Sequence, residues 1–319
     1  MYTPFALLYS LALAFALPNI AKHSQVPDRV FVVGDLHGDY QEADRLMRAA
    51  NVTDVKGDWL RRPDTTTWLV QLGDIVDRGP DSLPLYEKFQ RLSESAAKQG
   101  DLVINLLGNH ELLNLCNQFH YLSQDEFINH YNGDHTALHK AWSPTGDVGA
   151  FVRKHFEVGV KLDDVVFVHA GLEPRFARQD FHDMKKQLLD SVDNQQCRHQ
   201  EGVIGAEGPL WTRKIARGDC GLLDTVLRDQ NARAMVVGHT PTESGNVEVA
   251  CKGRLVMADV GISRWVRGSP RMLLLEKRGT LPMSQWHWME LALTSSGLSS
   301  TALRSRTLLV GSGPQRVEI

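Results

Sequence analysis

At 319 residues, 42% apolar and 23% charged, the chain is long enough for one large α/β domain or two small ones, and too apolar for disorder. A net charge of −3 and a pI near 6.5 exclude the basic face of a dedicated nucleic-acid binder.

The N-terminus opens on an apolar run, Phe5 to Leu17, relieved only by Tyr9 and Ser10. Ala14-Phe15-Ala16 has the small-x-small form of a signal-peptidase site, and Pro18 ends any helix. About a dozen residues fall short of the ~20 that a membrane span needs. Residues 1–17 are therefore expected to be a secretory signal, although no Lys or Arg stands before the apolar run. The alternatives are an uncleaved anchor and a soluble helix. The expected location is the secretory pathway or the exterior, with membrane attachment only if the segment is retained.

Val30 to Val33 reads as a strand, followed by the loop Gly34-Asp35-Leu36-His37-Gly38 and an amphipathic helix over Tyr40 to Ala50. Trp68 to Leu72 is a second strand, leading into Gly73-Asp74-Ile75-Val76-Asp77-Arg78-Gly79 and a helix from Ser82 to Lys98. Leu102 to Leu107 is a third, ending at Gly108-Asn109-His110-Glu111. This alternation predicts parallel strands with right-handed crossovers. Leu112 to His155 is polar, aromatic and helix-compatible, and reads as an insertion capping a site. Val165 to Val168 ends at His169-Ala170-Gly171, and Met235 to Val237 ends at Gly238-His239-Thr240. Later strands are expected over Arg254 to Met257 and Met272 to Glu276. One domain spans 28–291. The Ser-, Thr-, Gly- and Arg-rich remainder, 292–319, reads as a flexible tail.

Cys116, Cys197, Cys220 and Cys251 permit two disulfides in a targeted protein, and no CxxC spacing suggests a zinc knot. Cys197 and Cys220 flank a loop-like stretch and are the expected bridge; four free thiols are the alternative.

Each motif follows an apolar run, so its polar side chains collect at one edge of a sheet. A divalent pair needs hard oxygen and imidazole ligands with one group shared. Asp35, His37 and Asp74 would serve one ion, and Asp74, Asn109, His169 and His239 the other. Taken singly, Gly-Asp is ordinary turn chemistry, Asn109 could cap a helix, and Asp77-Arg78 could be a surface pair. Jointly, the motifs hold a complete ligand set. Such mixed ligation suits Mn²⁺, Fe or Zn²⁺.

At these residues the sequence resembles the phosphoprotein phosphatase group of the calcineurin-like metallophosphoesterases, over roughly Val30 to Ser263. It departs from the eukaryotic Ser/Thr enzymes of that group in having His-Ala-Gly for His-Gly-Gly and Gly-His-Thr for Arg-Ala-His. Gly208-Pro209-Leu210-Trp211-Thr212-Arg213 is more like the bacterial-type branch, and within it the Shewanella-like protein phosphatases. Diadenosine-tetraphosphatases are the next neighbours.

The resemblance implies an α/β fold: a four-layer β-sandwich flanked by helices, with a helical insertion near the site. It implies direct in-line attack on phosphorus by a hydroxide shared between two ions, without a phosphoenzyme, and it makes Mn²⁺ the first choice. Arg78 would grip phosphate oxygens through its planar fork. Arg213 is carried over as a second clamp. His110 would be the general acid, with Asp77 orienting its imidazole and favouring the charged form. Asp259 is a candidate outer residue or later metal contact. Substrates are expected to be phosphorylated proteins (on Ser, Thr or Tyr) or small phosphoesters. A tetraphosphatase-like nucleotide hydrolase and a non-catalytic phosphoprotein-binding module are the alternatives. Tyr121, Tyr131, Phe119 and Trp142 could stack on a substrate ring or fill the core.

Overall fold

The computed structural model describes residues 26–197 and 201–303. Strand β1 (Arg29–Val33), helix α1 (Tyr40–Ala49), strand β2 (Thr67–Gln71), helix α2 (Ser82–Lys98) and strand β3 (Leu102–Leu106) form the opening crossovers. Four helices follow, α3 (Asn109–Leu115), α4 (Gln124–Tyr131), α5 (His135–Trp142) and α6 (Asp147–His155). Next come β4 (Phe156–Glu157), β5 (Gly159–Leu162), β6 (Val165–Val168), α7 (Phe181–Asp193) and α8 (Cys220–Asp229). The last strands are β7 (Ala234–Val237), β8 (Glu248–Ala250), β9 (Leu255–Met257), β10 (Arg271–Glu276), β11 (His287–Thr294) and β12 (Gly297–Ala302).

One sheet has the order β12-β11-β10-β1-β2-β3-β4 and the other β5-β6-β7-β9-β8. Pairing is parallel from β1 through β4 and across β6, β7 and β9. The parallel strands read as near-continuous Val, Leu, Ile and Phe because both faces are covered; Val30, Val32, Leu69, Val166 and Val236 have no exposed surface. Residues of both sheets belong to one apolar cluster, which makes the molecule a mixed α/β sandwich.

The insertion is helical because its polar residues cap it repeatedly. Ser123 accepts from the Glu126 N–H at the start of α4, Asn132 ends that helix in the left-handed conformation, and Asp134 caps α5. Its aromatic residues divide: Trp142 and Tyr131 are core, Phe119 is partly buried against the core, and Tyr121 is exposed.

Two expectations need correction. The bridges are Cys116–Cys197 and Cys220–Cys251, so Cys197 and Cys220 do not pair with each other and no described cysteine is free. The loop between them separates two locations. Cys197 leaves α7 beside the end of α3, while Cys220 opens α8, which the Asp224–Arg254 ion pair also ties to the chain beyond Cys251. The expected tail is in part a hairpin: β11 continues to Thr294 and β12 pairs with it from Gly297 to Ala302. All of β12 is exposed, so its Ser and Thr residues suit an edge strand as well as a tail. Residues 304–319 lie outside the described residues, as does the expected signal at 1–17. Among the described residues no helix is long and apolar enough to cross a membrane.

Candidate metal centre

The parallel strands end at a common edge, and their motifs meet there. Asp35 and His37 follow β1; Asp74, Asp77 and Arg78 follow β2; Asn109 and His110 open α3 after β3. His169 follows β6, His239 follows β7, and Asp259 follows β9. Of these, only Arg78 is exposed; the rest are at most 5% accessible. So many buried polar groups in one place are costly unless they are paired or coordinate a cation.

Asp74 Oδ2 is the hub. His169 Nε2 lies 3.5 Å from it, and His37 Nε2 and His110 Nε2 each lie 3.9 Å away. His37, Asp74 and His110 form one group able to hold an ion, and Asp74, His169 and His239 form a second. Asp74 belongs to both. The first group contains His110 in the place expected for Asp35. Asp35 lies 3.9 Å from His37 Nε2, accepts from the His239 N–H at 3.2 Å, and contacts Asp259. Asn109 Oδ1 approaches His169 Nε2 at 3.1 Å.

Hydrogen bonds on the far ring nitrogens fix which nitrogen faces the cage. His37 Nδ1 donates to the Val76 carbonyl at 3.1 Å and His169 Nδ1 to the Leu72 carbonyl at 2.8 Å, which turns each Nε2 toward Asp74. His239 is reversed: its Nε2 donates to the Trp211 carbonyl at 3.1 Å, leaving Nδ1. Burial pushes His37 down to about 3 and His239 to about 2, so both rings are neutral, as ligands must be. For His169 and His110 burial is the largest single influence and opposes the charged form. The Asp74 carboxylate, acting together with their hydrogen bonds, to Asp77 for His110 and to Asp74 and Leu72 for His169, nevertheless holds both above the usual histidine value. Burial, then the charges of Asp259 and Asp74, push Asp35 well up; Asp259 rises to about 6, chiefly by burial. Carboxylates crowded this closely, with the neutral imidazoles of His37 and His239 among them, fit a divalent cation in chemistry and in donor orientation.

His110 is also fixed from behind. Asp77 Oδ2 lies 2.6 Å from its Nδ1, and Asn114, one helical turn on, donates to both Asp77 oxygens at 3.1 Å and to the His110 carbonyl at 2.9 Å. Sequence reasoning missed Asn114, whose i+4 spacing from His110 was the available signal. It also gave no role to Glu111. That buried carboxyl accepts from the N–H groups of Asp74, Ile75 and Gly108 at 2.8–2.9 Å and from the Tyr86 hydroxyl at 3.0 Å. Glu111 occupies the third helical position, where a glutamate reaches back to free N–H groups.

The two arginines lie at the rim. The Arg78 N–H donates to the Tyr121 carbonyl at 2.9 Å, and its guanidinium stands 5.9 Å from the Tyr121 ring, which is 4.9 Å from the His110 ring. Arg213 is half-buried and donates to the His239 carbonyl at 2.9 Å and to Thr240 Oγ1 at 3.0 Å.

The family model for the calcineurin-like phosphoesterases matches residues 28–268. The chain belongs to that family. An uncharacterised protein of Schizosaccharomyces pombe is 30% identical over 274 residues, covering 82% of this chain and 81% of the relative. Shewanella-like protein phosphatase 1 of Plasmodium berghei is 25% identical over 249 residues, 74% of this chain and 67% of its own. The solved cold-active protein-tyrosine phosphatase of a Shewanella species shares the fold, with a TM-score of 0.73 at 23% identity, covering 88% and 81% of the two chains. The Shewanella-like branch suggested by the motifs is therefore supported, and the chain is a hydrolase of phosphoesters whose His and Asp groups are suited to divalent metal.

Proposed function

We propose that the chain is a binuclear, metal-dependent phosphomonoesterase that dephosphorylates proteins by direct hydrolysis. The observation that carries this reading is the sharing of Asp74 between two ligand groups. Asp35, His37 and Asp74 would hold one ion, and Asp74, Asn109, His169 and His239 the other. Mn²⁺ is the proposed metal; Fe and Zn²⁺ suit the same donors. When bound, the ions supply Lewis acidity toward the phosphoryl oxygens and activate water.

The chain's own residues do the rest. Arg78, exposed at the rim, grips two phosphate oxygens with its fork. Arg213, tethered to the His239 carbonyl, is the second clamp. His110 keeps one proton on Nδ1 for Asp77 and delivers the other from Nε2 to the leaving oxygen. Asp77 is negatively placed to hold the charged imidazole, which the Asp74 carboxylate also favours.

A protein substrate is supported by the relatives' names and by Tyr121. Its half-exposed ring stands beside both Arg78 and His110, where an aromatic leaving group would stack. The two disulfides support work in an oxidising compartment reached by secretion.

Purified protein with Mn²⁺ should hydrolyse p-nitrophenyl phosphate, lose that activity in EDTA and regain it with metal. Activity persisting in chelator would remove the metal assignment. A parallel assay on phosphotyrosine peptide, phosphothreonine peptide and diadenosine tetraphosphate should rank the peptides first; a higher kcat/KM for the dinucleotide would replace the protein-phosphatase reading.

A further inference from the structure

Asp77 and Arg78 are consecutive left-handed residues, with φ of 72° and 69°. Neither is a glycine, so neighbours must hold this turn. The helical insertion does so twice. One contact is the Tyr121 carbonyl on the Arg78 N–H. The other runs through Glu126 of α4, a side chain with no exposed surface. Ser82 Oγ accepts from the Asp77 N–H at 3.2 Å and donates to Glu126 Oε2 at 2.5 Å. The backbone N–H groups of Ser82 and Leu83 approach the same carboxyl. Asp81, at the N-cap of α2, makes no side-chain cap bond, so Glu126 takes that place from a different helix.

The carboxyl is unusual in its surroundings. Asp77, Tyr86 and Tyr131 face it, and none of these is a cation. Its Oε1 has no hydrogen-bond partner. Burial pushes its titration up to about 8, which favours the neutral form near neutral pH.

We propose that Glu126 is a positioning residue for phosphoester hydrolysis: through Ser82 it sets the Asp77–Arg78 turn, and through Asp77 the direction of the His110 imidazole. This rests on the roles proposed above for Asp77, Arg78 and His110. The insertion thereby helps to assemble the acid, in addition to covering the site. The chain of contacts, Glu126 to Ser82 to Asp77 to His110, predicts a loss that falls on proton delivery and spares metal binding.

The test uses the full chain loaded with Mn²⁺. In Glu126→Ala, kcat on a phosphothreonine peptide should fall about tenfold or more, within the range that small misplacements of catalytic groups produce. The poor alkoxide leaving group needs the acid, so p-nitrophenyl phosphate should lose distinctly less. KM and metal content should stay near wild type. Glu126→Gln, which keeps the shape and neutrality, should restore most of the peptide activity. Ser82→Ala should show the same leaving-group split, and the double variant should cost no more than the worse single one. Equal losses on both substrates, full activity in a folded Glu126→Ala, or additive losses would overturn the proposal. If Glu126→Ala does not fold, Ser82→Ala decides by the same split. A wild-type protein without metal-dependent hydrolysis would instead strike the proposed function, a separate outcome.

Discussion

Replacing Cys116 and Cys197 together with serine removes the bridge between the end of α3 and the chain leaving α7. The bridged residues are 81 apart in sequence, and closing so long a loop in the unfolded chain is worth ~4.5 kcal/mol in the chain-entropy model. The Cys220–Cys251 bridge spans 31 residues, for which the same model gives ~3.7 kcal/mol. Against a domain stability of roughly 5–15 kcal/mol, either loss is large, and the first should be the larger. It should also reach the site. Cys116 is the C-cap of a seven-residue helix whose first two residues are Asn109 and His110. It also shares a recess with Leu112, Leu113, Ile204 and Trp211, and the Trp211 carbonyl holds His239. Urea unfolding followed by tryptophan fluorescence, with hydrolysis measured below the transition, should place both double variants under wild type and the Cys116/Cys197 pair lowest. Thiol titration of the unfolded, unreduced protein should detect no free cysteine among the four. Four titrating thiols, or an unfolding midpoint indifferent to reductant, would refute the reasoning.

Asp74→Asn removes the one charge common to three imidazoles. It should weaken metal binding by more than about 100-fold, beyond the usual loss from an outer-shell partner; elemental analysis after dialysis would show unchanged metal if this is wrong. At Gly108 an added Cβ would lie 2.1 Å from Asp74 Oδ1 and 2.4 Å from its backbone nitrogen. Gly108→Ala should therefore displace the shared carboxylate and lose metal and turnover, with a stability cost of roughly 1–3 kcal/mol, and normal metal content would contradict it. Glu126 should give stability a pH dependence. Its folded value is raised from 4.5 to about 8, so the folded state binds the extra proton between those values. Stability is then full below about pH 4.5 and falls as pH rises through 8, by at most on the order of 5 kcal/mol at ~1.4 kcal/mol per unit. Glu126→Gln should flatten that slope in urea titrations from pH 5 to 9; an unchanged slope assigns it to other groups.

The strands and the convergence of polar side chains at their ends were legible because two independent signals coincide in each. An apolar run short enough for a strand is followed by glycine and a polar donor, as at Val30–Gly38 and Trp68–Gly79. What escaped was whatever depends on neighbours distant in sequence. Glu126 and Ser82 are 44 residues apart, and no local pattern marks a cap supplied by another helix. Flanking a loop, the reason to pair Cys197 with Cys220, does not bring two cysteines together; a bridge requires nearness in space, 6.0 Å between Cα atoms for Cys116 and Cys197. Tyr121 and Trp142 are equivalent as letters; only the packing of α5 on the core buries one and leaves the other beside His110. Asp259 was open to several readings, and its contact with Asp35 comes from the pairing of β9 with β7, which brings the end of β9 to the same edge.

The backbone at the site explains why the motifs contain more residues than the chemistry needs. His37, Asp74, Asp77, Arg78 and His239 all have positive φ, between 41° and 72°. For residues with a Cβ this costs on the order of 1–2 kcal/mol each, so roughly 5–10 kcal/mol must be offset nearby. The offsets are specific. The Leu36 and His37 N–H groups both donate to the Asp74 carbonyl, at 2.9 and 3.0 Å, and Gly38 donates to the Ile75 carbonyl at 2.8 Å. Gly79 donates back to the His37 carbonyl at 3.0 Å. Glu111 holds the Asp74 and Ile75 N–H groups, and the Asp35 carboxylate holds that of His239. The loops after β1, β2 and β7 thus fix one another's left-handed turns, and a Cβ on Gly38 would fall 2.5 Å from the Gly79 carbonyl oxygen. The glycines bring no donor side chain, and the Glu111 carboxyl is spent on the Asp74, Ile75 and Gly108 N–H groups and the Tyr86 hydroxyl. Their place in the motifs follows from the backbone: the polar side chains meet at one edge only from conformations the chain would otherwise avoid, and each loop's turn is held by bonds from its neighbours.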